Sequence, residues 1–497
     1  MRLKGELAVR RFCCLILVLL LVQIVDRAEA SPWAEAGDRQ LRNDIEILAH
    51  FGLIRGPITT WPLPWAQITD RLNADTGKPL PPHVRMALAR VRSKMPSGED
   101  FGRPIIKAEA RATNRAKTSR DFGDSARDDV DASVSAEVNW SATSARVSVG
   151  YQGDDIDDKL VFDGSYLAFA IGNWMTYGGW VDHWWGPGWS SGLIQSTNAR
   201  PAPRVGLMRL NPKPFSTPIL SWLGPWQFNL FLGQLTDDER AIKNPYYVGM
   251  RFAFQPVRNL DIGLSRTIML CGRDQRCSFR TWTDALIGVG GVENRAGDLD
   301  VGNQLAGADI KWTVGLSDTL TLGLFGELIG EDEKDSLPFK FAKLAGASLD
   351  GPWGVDGGHW RAIVEYTDTA AGLIRDTEYN ILYNHRRYKS GYRFHGRSIG
   401  DRLDGDSRAW SFTGLLTDAD SWTWRINYER ARINIDGGGI HGLSANAENI
   451  NIFEGGLQVP TEFGDLELEL RYEDDKPNTP GYEDSTTGVE LGWRASF

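Results

Sequence analysis

The densest run of chemistry-bearing residues lies between Asp182 and Arg204. It reads Asp182-His183-Trp184-Trp185-Gly186-Pro187-Gly188-Trp189, and later Asn198-Ala199-Arg200-Pro201-Ala202-Pro203-Arg204. Flat indoles stack on the apolar C–H faces of sugar rings. Planar amide and guanidinium groups hydrogen-bond paired hydroxyls, and a guanidinium pairs bidentately with uronate or pyruvyl carboxylates. Trp184, Trp185, Trp189, Asn198, Arg200 and Arg204 are therefore candidates for contact with a polysaccharide. The same composition suits a second role. Tryptophan mixed with Gly and Pro packs and turns, so the run equally fits a loop folded inward to plug a lumen, with Arg200 and Arg204 paired to acidic side chains. A second candidate set, Tyr388, Lys389, Tyr392, Arg393 and Phe394, offers aromatic and basic groups on what reads as an exposed loop.

Other patterns promise chemistry that their context withholds. Gly188-Trp189-Ser190-Ser191-Gly192 matches the nucleophile elbow G-x-S-x-G, but the elbow needs a helix after the serine, and a turn-rich stretch follows instead. Asp182 and His183 are adjacent, so on a strand they point to opposite faces and make a poor acid–base pair. The carboxylates of Gly153-Asp154-Asp155-Ile156-Asp157-Asp158 suit a hard cation but lack EF-hand spacing, so a polar hairpin loop is expected. Seven histidines are scattered without metal-ligand spacing, and no metal or cofactor is expected.

What must position these residues? Arg2, Lys4, Arg10 and Arg11 precede an apolar run from Phe12 to Val25, and Ala28-Glu29-Ala30 follows. That is the signature of a cleaved export signal spanning residues 1–30. Cys13 and Cys14 leave with it. The two other cysteines, Cys271 and Cys277, then sit in an oxidising compartment, where a local disulfide is expected. The net charge of −10 becomes −12 once the signal is removed, which gives no basic footprint for nucleic acid. Residues 31–98 read as a small helical domain. Leu41, Ile45, Leu48 and Ala49 recur at helical spacing behind Asp38 as N-cap, Trp65, Ile68 and Leu72 repeat the pattern, and Val84, Ala87, Leu88 and Val91 follow Pro81-Pro82.

From about Pro104 to Phe497 the period becomes two. Val134, Ala136 and Val138 alternate with Ser135 and Glu137; Trp424, Ile426 and Tyr428 with Arg425 and Asn427; Leu466, Leu468 and Leu470 with Glu467 and Glu469. The chain ends on Val489-Glu490-Leu491-Gly492-Trp493-Arg494-Ala495-Ser496-Phe497, an alternating strand closed by an aromatic residue. Such a strand is what a transmembrane barrel needs to remove its sheet edges, with Glu490, Arg494 and Ser496 turned inward. About 16–18 such segments can be counted, and bacterial barrels carry even numbers of strands. Phe497 is expected to be read by the barrel-insertion machinery. Asn114–Asp131, Asp376–Asp406 and Asp436–Asn451 are too long for periplasmic turns and are expected as extracellular loops. No later apolar run approaches a membrane helix in length.

Three central runs, W-W-G-P-G-W from Trp184, S-x-N-A-R-P-x-P from Ser196 and S-W-L-G-P-W from Ser221, occur in this order. With Leu41-Arg42-Asn43-Asp44 and Thr60-Trp61-Pro62-Leu63, they make the chain resemble the Wzi family of capsule-assembly outer-membrane proteins. The resemblance covers essentially the whole chain after residue 30. It implies an all-β transmembrane barrel of 18 antiparallel strands with a small helical bundle on the periplasmic side. It also implies a non-enzymatic, lectin-like role at the outer membrane, holding surface polysaccharide. The alternative is a channel for solute or polysaccharide, since a barrel of this size can enclose a water-wide lumen.

Overall fold

In a computed structural model, residues 32–72, 79–96, 101–153, 158–287, 302–334, 337–372, 377–438, 440–476 and 485–497 are described. The export signal and Asp154–Asp157 of the candidate cation loop lie outside these residues. The alternating segments form a closed antiparallel barrel running from β1 (Pro104–Thr113) to β18 (Ser485–Ser496). Asp158–Val161 and Tyr166–Ile171 both pair with the preceding strand, Thr143–Gly153, and so count as one broken strand. On that count the wall has eighteen strands among the described residues. Strand β18 closes it by pairing with β1, from Glu490 opposite Thr113 to Ser496 opposite Lys107. Phe497 extends the ladder, exchanging two backbone hydrogen bonds with Ile106 of 2.8 and 3.0 Å.

The period of two decides what each face meets. Val134, Val147, Leu324, Trp424, Ile426 and Leu491 point outward and are exposed, whereas Glu137, Arg146, Arg425 and Glu490 point inward and are buried. A continuous apolar exterior of this kind requires hydrocarbon around it rather than water. The inward charges are satisfied by pairing: Arg251 with Asp309 at 2.5 Å, and Arg425 with Glu454 at 2.7 Å and with Glu469.

The amino-terminal helices sit inside and beneath this wall. Helix α1 (Arg39–His50) is capped by Asp38, whose Oδ1 accepts the Leu41 amide at 2.8 Å. Helix α2 is short (Trp65–Thr69), and α3 (Pro82–Lys94) enters through Pro81-Pro82. All four residues read as its apolar face, Val84, Ala87, Leu88 and Val91, are buried. These helices lie at the end of the barrel with short turns: Gln40 donates to Ser421 O, and Arg258 to His50 O at 2.7 Å. The long loops gather at the opposite end. A fourth helix, α4 (Phe279–Ile287), had no counterpart in the sequence reading.

Candidate functional site

The Trp-rich run fills the lumen. The wall is short where it departs: the strands on either side, Trp174–Gly179 and Arg204–Arg209, have six residues each. Gly179 makes the exit, with φ +151° and Ser165 O only 2.1 Å from where a Cβ would sit. The run then drops inward and pairs with the amino-terminal unit, Trp184 opposite Trp61 and Trp185 opposite Thr60. Trp61, Trp184 and Trp185 are among the largest fully buried side chains of the protein. Phe122, from the loop after β1, stands edge-on to both Trp61 (5.3 Å) and Trp184 (5.2 Å).

Helix α1 clamps this arrangement. The Arg42 guanidinium donates to Pro187 O at 2.6 Å and Gly188 O at 2.8 Å. It lies over the rings of Phe122 and Trp189 at 4.4 and 4.3 Å. One turn on, Glu46 accepts from Lys311 at 2.6 Å and from Arg361, tying the helix to two wall strands. Burial alone would raise the Glu46 carboxyl, but Lys311, Arg361 and Arg42 overcome it and hold it at about 2.

The G-x-S-x-G match is a turn held by a wall carboxylate. Glu365 accepts the amides of Trp189 (2.7 Å) and Ser190 (2.6 Å), while Ser191 Oγ accepts the Arg402 amide at 3.1 Å. Asp182 and His183 lie between strands rather than on one, and they part company. His183 is enclosed between Tyr177 Oη (2.9 Å) and Arg204 Nη1 (3.0 Å), and burial beside Arg204 holds its imidazole well below the usual range. Asp182 instead lines a polar chamber with Arg120, Arg127, Asp131, Arg146 and Asp163. Burial raises its carboxyl to about 6, against the pull of Arg127. A carboxyl raised from 3.8 favours folding below about 3.8 and loses that contribution as pH rises through 6. Asp182→Asn is therefore expected to stabilise the protein at pH 7.5 by up to about 3 kcal/mol and to change little at pH 3.5. Denaturant midpoints at the two pH values measure this; equal shifts at both would refute it.

The remaining residues of the run stitch loops together. Asn198 accepts from the Arg120 amide and donates to Ser398 O, both at 3.1 Å, so one side chain joins three loops. Arg204 donates to Ala202 O and lies over Phe231 at 4.5 Å. Arg200 sits at the edge of the plug, paired bidentately with Asp163 through two 2.9 Å bonds.

The second candidate set is corrected in its exposure. Tyr388 and Tyr392 are each only 2% exposed and Arg393 6%. The loop folds into the barrel mouth because its aromatic residues find a core there. Tyr392 Oη donates to Ile194 O at 2.8 Å and lies 2.5 Å from Tyr247 Oη; Tyr388 Oη donates to Cys271 O at 3.0 Å. Arg393 forms a buried bidentate pair with Asp404 at 2.6 and 3.0 Å. Phe394 is buried with them. Among the described residues of the loop, Arg386, Lys389 and His395 are exposed to solvent, as are Thr377 and Glu378. The spacing Tyr383, Tyr388, Tyr392 within a polar stretch is the signal that points to an inward loop. Cys271 and Cys277 are joined by a disulfide at the base of a neighbouring loop. Among the described residues no group of three or more metal-ligating side chains converges.

A closed barrel with an apolar exterior, a lumen filled by its own amino-terminal helices and a Trp-rich loop, and long loops locked over one end defines a plugged outer-membrane β-barrel. The comparisons narrow this class. The sequence profile of the family "Capsule assembly protein Wzi" matches residues 102–487, and the chain belongs to that family. It is 29% identical over 406 residues to an uncharacterized 55.8 kDa protein in the cps region of Klebsiella pneumoniae, covering 80% of this chain and 77% of that protein. The solved structure of Wzi of Escherichia coli is described as an outer membrane protein involved in group 1 capsule assembly and a carbohydrate binding beta-barrel. It superposes with a TM-score of 0.80 at 24% identity, over 95% of this chain and 100% of that chain. The outer membrane protein OprD of Pseudomonas aeruginosa is more distant, with a TM-score of 0.43 at 11% identity, over 80% of this chain and 95% of that one.

Proposed function

We propose that this protein binds capsular or exopolysaccharide and retains it at the cell surface, without chemistry. Family membership supports this reading, as does the carbohydrate binding described for the Escherichia coli protein. The observation that carries it is the union of loops and plug: Asn198 and Tyr392 fix the long loops to a filled lumen, and Arg393 joins two of those loops through Asp404 and Ile440 O. A loop surface held this way loses little entropy when it meets a polymer, which is the general gain from preorganisation. On this reading residues 1–30 are removed, the helical unit faces the periplasm, the wall meets outer-membrane lipid, and Phe497 serves insertion. Trp184, Trp185, Trp189, Asn198 and Arg204 act as the plug. Glycan contact falls to the exposed groups above it, Arg386, Lys389 and His395, with Arg200 at the edge.

A pull-down with the purified protein tests this. Cell-surface polysaccharide is expected on the wild-type beads, and roughly tenfold less on beads carrying Arg386→Ala with Lys389→Ala, the order expected for losing two charged contacts. Equal retention by beads without protein would overturn the reading. The channel alternative makes the opposite forecast: steady current through the wild type in a planar bilayer.

A further inference from the structure

Helix α4 lies on the outer wall of the barrel, at the long-loop end. On strand β9 (Leu260–Leu270) the inward positions are Asp261, Ser265, Thr267 and Met269, and the outward ones Ile262, Leu264, Arg266, Ile268 and Leu270. Outward residues lower on the wall are bare: Leu264 is 49% exposed and Ile310 48%. Ile268 and Leu270, also outward, are each 1% exposed, and Val248 on the neighbouring strand 4%. Ala285 and Trp282 of α4 cover them, with the Tyr246 and Trp282 rings tilted against each other at 5.3 Å. Arg266 is the anchor. From the lipid-facing side of the wall it donates to Ala285 O at 2.7 Å, Leu286 O at 2.9 Å and Gln304. An arginine facing hydrocarbon is costly, and the carbonyls at the helix carboxyl end satisfy it.

The face of α4 turned away from the barrel is amphipathic in composition. Phe279 is 84% exposed, Leu286 41%, and Arg280 is exposed beside them. The disulfide loop that leads into the helix exposes Arg273 and Arg276. An amphipathic helix that is laid along the apolar wall, beside arginines at the level of the loops, is placed where acyl chains give way to headgroups. We propose that α4 and the disulfide loop form an interfacial seat for a phosphate-bearing lipid of the outer leaflet. Phe279 and Leu286 enter the acyl boundary, and Arg273, Arg276 and Arg280 meet the phosphates. The exposed Leu264 and Ile310 lie on the wall below the helix, and the three arginines outnumber the two carboxylates among them, Asp274 and Asp284, the latter 3.4 Å from Arg280, so the face keeps a positive excess toward an anionic headgroup layer.

The test uses the full-length protein in vesicles of phosphatidylethanolamine with and without bis-phosphorylated lipid A. A nitroxide on Phe279→Cys reports depth, with Lys389→Cys at the mouth as the aqueous reference. The label at 279 is expected to be reached by oxygen and shielded from a nickel chelate, the reverse of the label at 389. In detergent, wild type and Arg386→Ala with Lys389→Ala should retain lipid A equally. The triple variant Arg273→Ala, Arg276→Ala, Arg280→Ala should retain at least about tenfold less, the order expected for losing three phosphate contacts. Arg266→Ala should mobilise the 279 label, reporting an undocked helix. Nickel access at 279 equal to that at 389, disulfide-linked dimers through 279, or unchanged lipid A retention by the triple variant would each overturn the proposal. None of these outcomes bears on polysaccharide retention, so the two readings fail separately.

Discussion

Glu46→Gln is expected to turn an electrically silent barrel into one that leaks. Glu46 is the anion that Arg42, Lys311 and Arg361 share, at 3.3 Å, 2.6 Å and in direct contact with Arg361, which also pairs with Asp350 at 3.3 Å. Glutamine keeps the shape but removes the anion shared by three buried cations; Arg361 keeps Asp350, while Arg42 and Lys311 lose the carboxylate they pair with. Breaking a buried ion pair by removing one partner costs about 3–5 kcal/mol. The cost falls where α1 meets the wall, so the helix should detach while the barrel ladders survive. Single-channel recordings should show frequent openings in the variant against a closed wild type, and protease should cut within residues 32–96 much faster. Acid should reproduce the effect. The Glu46 carboxyl is held at about 2 against a usual 4.5, so its stabilisation is complete above about 4.5 and lost as pH falls toward 2. A silent, protease-resistant variant would show that the plug is held by something else.

Gly188→Ala should be nearly as damaging. A Cβ there would lie 2.1 Å from Ser191 O and 2.9 Å from Leu344 Cδ1. The first is backbone, held in a turn whose amides are bound by Glu365, so the chain must move. Movement would pull Gly188 O from both Arg42 and Trp184 Nε1, which donate to it at 2.8 and 3.1 Å. A cost of about 3 kcal/mol is expected, at the upper end for overpacking a tight core. Hydrogen exchange should show loss of protection at Trp184–Leu193 with the barrel strands unchanged. Unchanged exchange there would refute the packing argument.

The barrel was legible because alternation survives burial on one face. The segments read around Val134, Ile426 and Leu468 lie in Val130–Asn139, Thr423–Ile433 and Gly464–Lys476. Helices α1 and α3 were legible from their apolar spacing and from Asp38 and Pro81-Pro82. Two things were not. A long polar loop reads as solvated, since sequence does not say whether a barrel mouth stands ready to bury its tyrosines; Tyr388 and Tyr392 were misjudged for that reason. Helix α4 has only nine residues, and its apolar face is defined by a wall from distant strands. The Trp-rich run was visible both as an inward plug and as a binding site, and the sequence did not choose between them because indoles serve both. Its burial against Trp61 and Phe122 decides the geometry.

The central claim is that a plugged barrel presents a fixed surface that keeps polysaccharide on the cell. It is tested most directly by measuring cell-bound and shed polysaccharide in a deletion strain carrying the wild type, Arg386→Ala with Lys389→Ala, or no copy. The account predicts that the wild type restores the cell-bound fraction. The double variant should insert normally yet shed most of its polymer, as the empty strain does. Equal cell-bound polysaccharide in all three strains would contradict it.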